Sequence, residues 1–358
     1  MDVNIIDLSN PLWLETLQRI RHDIYHIPEY LYVESIRTNT IPQAILIREN
    51  QKILFLPYLL RNCNSLFVDN FNTADVFDAL SPYGYGGFLL SDSAMNSDDF
   101  KTNALNQLQD IFHNNHICSV FLRLHPILNN GCEEKFSPNV CQATGVTVSV
   151  DLMLSEAEIW QQTRPEHRNH INRCKRAGFN AHIVLFDQSS IDDFIGVYYE
   201  TMERVNAKET YFFDYEYFVG LTNLSSKIYL GFVELDRKLA CAGIFTECCG
   251  IVQYHLGGTK NEFLKQAPSK LMFDYVRYWA KERGNQIFHL GGGLGAAQDS
   301  LYHFKAGFSK QRHQFLTLRL IVDEERYLHL VNLRAKTLKT QPETLLNSNF
   351  FPAYRALT

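Results

Sequence analysis

The stretch that decides the fold runs from residue 252 to residue 308. It contains Val252-Gln253-Tyr254-His255-Leu256-Gly257-Gly258-Thr259 and, further on, Phe288-His289-Leu290-Gly291-Gly292-Gly293. Each run is of β-type and ends in consecutive glycines, where the bare backbone can approach another group closely. Between the two runs, a helix is predicted from Pro268, which a first helical turn tolerates, to Gly284. The pattern therefore predicts a strand, a glycine loop, a helix, a second strand and a second glycine loop.

This arrangement favours a binding site, although a second interpretation stays open. In α/β proteins it exposes backbone N–H groups at a helix start, where partial positive charge can hold a phosphate or a developing oxyanion. The alternative is that the glycines only form tight turns. If a ligand approaches the second glycine cluster, a Cβ added at Gly292 should block activity and leave the fold intact.

Length and composition limit the possible classes of protein. A chain of 358 residues predicts two or three domains of ordinary size. The 46% of hydrophobic residues suffices for a large core, and the 20% of charged residues gives no indication of disorder. A net charge of -5 argues against broad, nonspecific binding of nucleic acid, but it is compatible with a local basic groove.

The sequence contains no targeting or metal-binding signal. The N-terminus lacks a basic segment followed by an apolar core, and no apolar run approaches about 18 residues, so we expect a cytoplasmic protein without a membrane span. The eight cysteines form no CxxC pair. We therefore expect reduced cysteines without a special role, and no metal.

The N-terminal half combines regular elements with one irregular, aromatic segment. A β-hairpin is predicted over Ala44–Leu60 and a short helix over Thr73–Leu80. The segment Ser81–Gly87 cannot be regular, because it contains a proline and several glycines. Its tyrosines, Tyr83 and Tyr85, either pack on the core as turn residues or line a pocket for a polar ligand such as a sugar.

The second half carries a basic helix and a β-meander. The meander is predicted over residues 227–256. The segment Arg164–Arg176 has five Lys or Arg residues against one Glu. Helical spacing places Arg168, Asn172, Lys175 and Arg176 on one polar face. A solvated face is the common explanation, whereas phosphate on a nucleotide-linked substrate or on an RNA acceptor stem would explain the charge in an acidic protein.

The order of elements indicates a tandem duplication. Each half runs helix, hairpin, helix and strand, and the stretch from Leu128 to Thr144 has the irregular composition of a crossover. We expect a first domain over residues 1–145 and a second over 146–318. A C-terminal segment, 319–358, is expected to pack back on the first domain.

Several of these stretches carry a resemblance to a known family. The glycine-terminated strands resemble the second domain of the FemABX-like branch of the GNAT acyltransferase superfamily, and Ser81–Gly87 is similar to the tyrosine-glycine signature of its first domain. The other matching stretches are Ala267-Pro268-Ser269, Trp279-Ala280-Lys281-Glu282-Arg283-Gly284 and Phe304-Lys305-Ala306-Gly307-Phe308. The resemblance extends from about residue 80 to the tail at 350–355. It implies an α/β (α+β) fold of tandem GNAT-like domains, each a mixed, mostly antiparallel sheet flanked by helices.

The resemblance also implies a function. Members of this branch transfer an aminoacyl group from aminoacyl-tRNA to an amine of a peptidoglycan precursor, and related members use acyl-CoA or act on other envelope sugars and small peptides. We expect an amine acyltransferase of this kind, whose partners are the aminoacyl-tRNA acceptor stem and a nucleotide-sugar or peptide amine. No cofactor besides the donor is expected. The alternatives are an acyl-CoA-dependent N-acyltransferase acting on an amino sugar of a surface polysaccharide, and an inactive glycan-precursor binding protein.

Two departures from the family pattern bear on the donor. The sequence lacks the long charged coiled-coil arm that some members carry for tRNA, which puts that type of tRNA contact in doubt. It also lacks the GNAT pyrophosphate signature, whose place is taken by Leu264-Lys265-Gln266-Ala267-Pro268-Ser269-Lys270. The second departure counts against ordinary binding of coenzyme A.

Candidate site residues follow from the motifs and the resemblance together. Direct acyl transfer needs orientation of the amine, a route for its proton and donors for the oxyanion. The resemblance implies that Lys305 stabilises the charge that develops during transfer. The substrate-binding candidates, expected in a cleft between the domains, are Tyr83, Tyr85, Arg168, Tyr254 and His255. The donor-binding candidates are Gly257, Gly258, Lys270, Gly291, Gly292 and Gly293.

Overall fold

The computed structural model describes residues 1–66, 76–129, 140–224 and 227–356. The strands are β1 (Asp2–Ile6), β2 (Ile41–Glu49), β3 (Lys52–Asn62), β4 (Phe77–Leu80), β5 (Leu89–Leu90), β6 (Ile117–Arg123), β7 (Cys141–Asp151), β8 (Asn180–Leu185), β9 (Ile228–Leu235), β10 (Lys238–Cys248), β11 (Ile251–Thr259), β12 (Ile287–Gly291) and β13 (Gln311–Ile321). The α-helices are α1 (Pro11–Leu17), α2 (Pro28–Thr38), α3 (Asp92–Met95), α4 (Asp98–Asn114), α5 (Glu156–Gln162), α6 (Pro165–Arg176), α7 (Ile191–Arg204), α8 (Tyr215–Thr222), α9 (Pro268–Glu282), α10 (Ser300–Ala306), α11 (Glu324–Leu338) and α12 (Pro342–Leu346). Within these ranges, no helix combines the length and the apolar character that a membrane span requires.

The chain divides into two compact units. The first unit consists of Met1–Thr144 together with Phe315–Thr358, and the second unit consists of Gly145–Gln314. The second unit is therefore an insertion between the two segments of the first.

The first unit is built on a mixed sheet. Its strand order is β1-β2-β3-β4-β6-β13, and β5 pairs with β3. The predicted hairpin is confirmed as β2 and β3, which pair antiparallel along the whole of β2. The helix predicted over Thr73–Leu80 is wrong where the structure describes it, because Phe77–Leu80 is strand β4; the earlier part of that prediction, up to residue 75, lies outside the described residues.

Strand β4 pairs with β3 on one side and β6 on the other, and a buried carboxylate anchors it. Asp78 is 1% exposed, and Nε of Arg61 lies 2.7 Å from one of its oxygens. Nε of Arg355 lies 2.5 Å from the other oxygen, to which the Tyr354 hydroxyl also donates at 3.0 Å. These partners come from distant parts of the chain, so local propensity did not indicate them.

The second unit has a mixed sheet of the order β7-β12-β11-β10-β9-β8. The predicted meander is confirmed as β9, β10 and β11. The predicted helix from Pro268 is confirmed as α9, whose Leu271, Met272 and Val276 are buried in the core of this unit.

Both sheets repeat one arrangement. Four strands form an antiparallel meander, a fifth strand lies parallel to the fourth, and a sixth lies antiparallel to the fifth. The parallel pairs are β4 with β6 and β11 with β12, and each needs a helical crossover, supplied by α4 and α9. The predicted fold class, mixed and mostly antiparallel sheets flanked by helices, is therefore confirmed.

Candidate functional site

The sheet of the second unit opens between its two parallel strands. The last pair that joins β11 to β12 is Gln253 with His289, and β11 continues to Thr259. A β-bulge at His255 changes the direction of β11 at the same point, because Phe245 pairs with Tyr254 and Ile244 with Leu256. Beyond the bulge, the backbone groups on this side of β11 have lost their strand partner, and such an edge can hydrogen-bond a ligand.

Lys305 lies against this opening. Its Nζ donates to the carbonyl oxygen of Gly292 at 2.7 Å and lies 5.4 Å from the ring centroid of Tyr254. The side chain comes from α10, whose first turn is capped by Asp299. Lys305 is only 6% exposed, and this burial lowers its pKa to about 7. The structure thus brings Lys305, Gly292 and Tyr254 together around an amine that titrates near neutral pH.

Tyr254 forms the apolar wall of the opening. Its ring packs 4.8 Å from that of Phe273 on α9, and burial raises the pKa of its hydroxyl. A Cβ at Gly257 would lie 2.7 Å from the hydroxyl oxygen of Tyr254 and 2.8 Å from the carbonyl oxygen of Ala242. Gly257 is therefore required to make room for Tyr254 and the neighbouring strand.

His255 is the bulge residue of β11, and its side chain contacts α8. It is 8% exposed, and its Nε2 forms a hydrogen bond of 2.9 Å with the hydroxyl of Tyr217 on α8. Two titratable groups, Lys305 and His255, therefore lie close to the point where β11 separates from β12. Sequence reasoning missed Tyr217, because an aromatic residue at helical spacing is usually part of a core, and no local pattern distinguishes it.

The space beside the remaining candidate glycines is filled by the chain itself. A Cβ at Gly258 would lie 2.6 Å from the carbonyl oxygen of Val197 on α7. A Cβ at Gly292 would lie 2.9 Å from the carbonyl oxygen of Val146, and one at Gly293 would overlap Asp299. Gly291 has a φ of 76°, which disfavours any side chain. A Cβ at Gly292 would require the backbone at Val146 to shift, and the expectation that such a variant keeps its fold and loses activity stays a prediction.

Helix α6 covers the start of α9. Lys270, in the first turn of α9, is 7% exposed, and its Nζ lies 2.9 Å from Oε1 of Glu166 on α6. This hydrogen bond lowers the pKa of Glu166. The Sγ of Cys174 donates to the carbonyl oxygen of Gln266 at 3.2 Å. The positive charge of Lys270 is therefore already paired with a carboxylate of the same chain.

The same helix is joined to α10 through a histidine. Nε2 of His167 donates to the carbonyl oxygen of Phe304 at 2.8 Å, and its ring lies 4.9 Å from that of Phe308. Burial lowers the pKa of His167 to about 4, so it is neutral at physiological pH. Arg168, the next residue, is half-buried, and in the described ranges its guanidinium forms no hydrogen bond or ion pair.

Tyr83 and Tyr85 belong to the first unit. The Tyr83 backbone N–H donates to the buried Glu34 at 2.9 Å, and the Tyr85 ring packs edge-on against Tyr25 and Phe315. Both tyrosines are half-buried. The cleft in which we expect them to meet the residues of the second unit stays a prediction.

Comparison with solved structures identifies the fold. FemX aligns over 91% of this chain and 99% of its own chain, with a TM-score of 0.69 at 11% identity. This chain has the FemX fold. L-PGS from Bacillus licheniformis aligns over 88% of this chain and 93% of its own, with a TM-score of 0.51 at 14% identity. The C-terminal domain of a putative lysylphosphatidylglycerol synthetase from Agrobacterium fabrum aligns over 85% and 92%, with the same TM-score and identity.

Sequence comparison gives no such match. No protein-family model and no curated protein sequence matches the chain. At the identities found, the structural likeness establishes the fold, and the fold implied by the FemABX-like resemblance is confirmed.

Proposed function

We propose that the protein is an amine acyltransferase that moves an aminoacyl group from aminoacyl-tRNA to an amine of a cell-envelope or small-peptide precursor in the cytoplasm. The observation that carries the proposal is the position of Lys305. It is a buried amine, held on the Gly292 carbonyl beside Tyr254, at the opening between β11 and β12.

The reaction needs a donor of hydrogen bonds at this position. The acceptor amine attacks the ester carbonyl of the donor, a C–N bond forms, and the carbonyl oxygen becomes an oxyanion. The C–O ester bond then breaks, the tRNA leaves as its free hydroxyl, and the amine loses one proton. An ammonium has three N–H donors, so a Lys305 that uses one on Gly292 retains others for the oxyanion.

The surroundings of α9 favour aminoacyl-tRNA over acyl-CoA. A helix start can hold the pyrophosphate of coenzyme A through free N–H groups and nearby cations. Here α6 covers that start, and Glu166 pairs with Lys270. The name of one structural relative, from Agrobacterium fabrum, also refers to lysylphosphatidylglycerol, a molecule that carries an aminoacyl group.

A donor screen tests the proposal. The protein is incubated with charged tRNA or acetyl-CoA, and with a nucleotide-linked amino sugar or peptide as acceptor, while aminoacyl transfer and CoA release are measured. We expect transfer from tRNA. Lys305→Met should lower kcat by about a hundredfold and leave acceptor binding unchanged, because an oxyanion donor is worth on the order of 3 kcal/mol.

The control is Lys310→Met, which removes an exposed lysine a few residues away and should keep kcat within about threefold. Release of CoA would favour the N-acyltransferase alternative. Binding of the acceptor with no transfer from any donor would favour an inactive binding protein.

A further inference from the structure

The exposed side of α6 carries a continuous stripe of donors. Asn169, Asn172, Arg173 and Arg176 are all exposed, and their spacing of three and four residues places them one above another on the helix. We call these four residues the α6 stripe. It replaces the face predicted from the sequence, because Lys175 points instead towards the buried Asp274, with which it forms an ion pair of 3.0 Å.

The opposite side fixes the helix in place. His167, Ile171 and Cys174 are buried, and hydrogen bonds join the two polar ones to Phe304 and Gln266. Because α6 is held against both α9 and α10, it cannot turn to bury other residues. The α6 stripe is therefore presented to solvent in one orientation.

The charge of the stripe is not balanced within the described residues. Arg173 and Arg176 form no ion pair there, and neither does Arg168 beside them; Glu166, the one acidic residue of the helix, is engaged by Lys270. Charges of alternating sign are typical of an exposed helix that is stabilised by ion pairs along its face, and the α6 stripe lacks that alternation. The helix dipole favours Arg173 and Arg176 in the last turn, but it does not favour Arg168 close to the start.

We propose that the α6 stripe, together with Arg168, binds the phosphate backbone of the RNA that carries the aminoacyl group. This rests on the proposed function, in which aminoacyl-tRNA is the donor. Arginine contacts phosphate through two parallel hydrogen bonds, and asparagine adds donors and acceptors for sugars and base edges. Because the protein has a net charge of -5, most of its surface repels a polyanion, and a local basic surface is where a polyanion would bind.

The dimensions and composition of the stripe favour RNA over other anions. From Arg168 to Arg176 the helix rises about 12 Å, which exceeds one phosphate group and suits consecutive phosphates of a strand. A helix that binds a lipid surface presents apolar residues to it. The α6 stripe has no apolar residue, because the apolar side of α6 is buried against its own unit.

Binding of an uncharged RNA hairpin with a single-stranded 3′ tail tests the proposal without requiring turnover. The test variant is Arg173→Gln with Arg176→Gln. The matched control is Arg237→Gln with Lys238→Gln, which removes the same charge from two adjacent exposed residues of the β9–β10 turn. Affinity is measured by fluorescence anisotropy over a range of salt concentrations, and thermal unfolding confirms that both variants are folded.

We expect the stripe variant to bind RNA at least about tenfold more weakly at low salt, with the slope of log affinity against log salt reduced by about two. The control should stay within about twofold of the parent. Equal losses in the two variants would overturn the proposal. So would tighter binding of the parent to vesicles containing phosphatidylglycerol than to the hairpin.

The two proposals can fail separately. If the parent transfers an aminoacyl group from tRNA and the stripe variant keeps the same KM for that donor, the RNA surface is wrong and the acyltransferase stands. If the stripe variant loses RNA affinity and the parent transfers nothing from any donor, the RNA surface stands and the acyltransferase is wrong.

Discussion

Lys305 places an ionisable amine where water is almost excluded, and this burial makes stability depend on pH. Burial lowers the pKa of Lys305 from 10.5 to about 7 in the folded chain. Between these two values the unfolded chain binds a proton that the folded chain does not. The contribution of Lys305 to the free energy of unfolding therefore increases with pH across that window.

Replacing Lys305 with methionine should remove that term. We expect Lys305→Met to be more stable than the parent near pH 7, because no ammonium is buried, and this advantage should shrink as the pH rises towards 10. The change should approach 1.4 kcal/mol for each pH unit. Urea unfolding of both proteins at several pH values measures it. A stability difference that stays constant with pH would contradict burial of the charged group.

At the residue scale, the sequence predicted that the glycines allow a close approach, but it could not predict by what. The approaching groups are Val197 for Gly258 and Val146 for Gly292, both distant along the chain. Lys305 was located through its motif, whereas its carbonyl partner depends on how the loop after β12 closes. A glycine in the sequence indicates that space is needed beside it, but only the folded structure shows which group occupies that space.

Helix α10 meets α6 at a glycine, and this contact gives a prediction at the scale of elements. A Cβ at Gly307 would overlap the ring of His167, which is already held by Phe304 and Phe308. Gly307→Ala should therefore destabilise the protein by about 2 kcal/mol through overpacking. Thermal or urea unfolding measures the loss.

The matched control for this prediction is Gly196→Ala, on α7. A Cβ there would have only Nζ of Lys260 nearby, at 3.7 Å. Because alanine is the better helix former, this variant should gain up to about 1 kcal/mol. Unfolding curves that move in the same direction for both substitutions would contradict the packing argument.

Elements with strong local signals were predicted well from the sequence. Helix α9 begins at Pro268, and the meander β9 to β11 lies where alternation and turns predict it. Strand β4 was missed, because it is held by pairing with β3 and β6 and by the ion pairs of the buried Asp78. Such long-range contacts override the helical preference of a short segment.

The ion pair of Asp78 connects the two segments of the first unit, so its loss should affect the whole molecule. Arg355→Met leaves the buried carboxylate with Arg61 and Tyr354 but without its closest cation. We expect unfolding to become easier by about 2 kcal/mol. Arg19→Met, an exposed change in the same unit, should stay within about 0.5 kcal/mol of the parent. Equal urea midpoints for the two variants would show that the ion pair between Arg355 and Asp78 contributes no stability.

The repeated sheet has a further consequence at this scale. The sequence indicated a duplication, because each half repeats the order of its elements, but it did not indicate that the sixth strand of the first sheet, β13, follows the whole second unit. Strand order is set by pairing between distant segments, for which a single sequence gives no direct signal.

The insertion of the second unit also sets an order for folding on the ribosome. Translation completes Gly145–Gln314 while residues 315–358 are still to be added. The second unit can therefore complete its sheet first. In the first unit, β6 cannot pair with β13, and Asp78 cannot contact Tyr354 and Arg355, until these later residues have been synthesised. The nascent first unit, although begun earlier, must remain incomplete until the segment from residue 315 to residue 358 has left the exit tunnel.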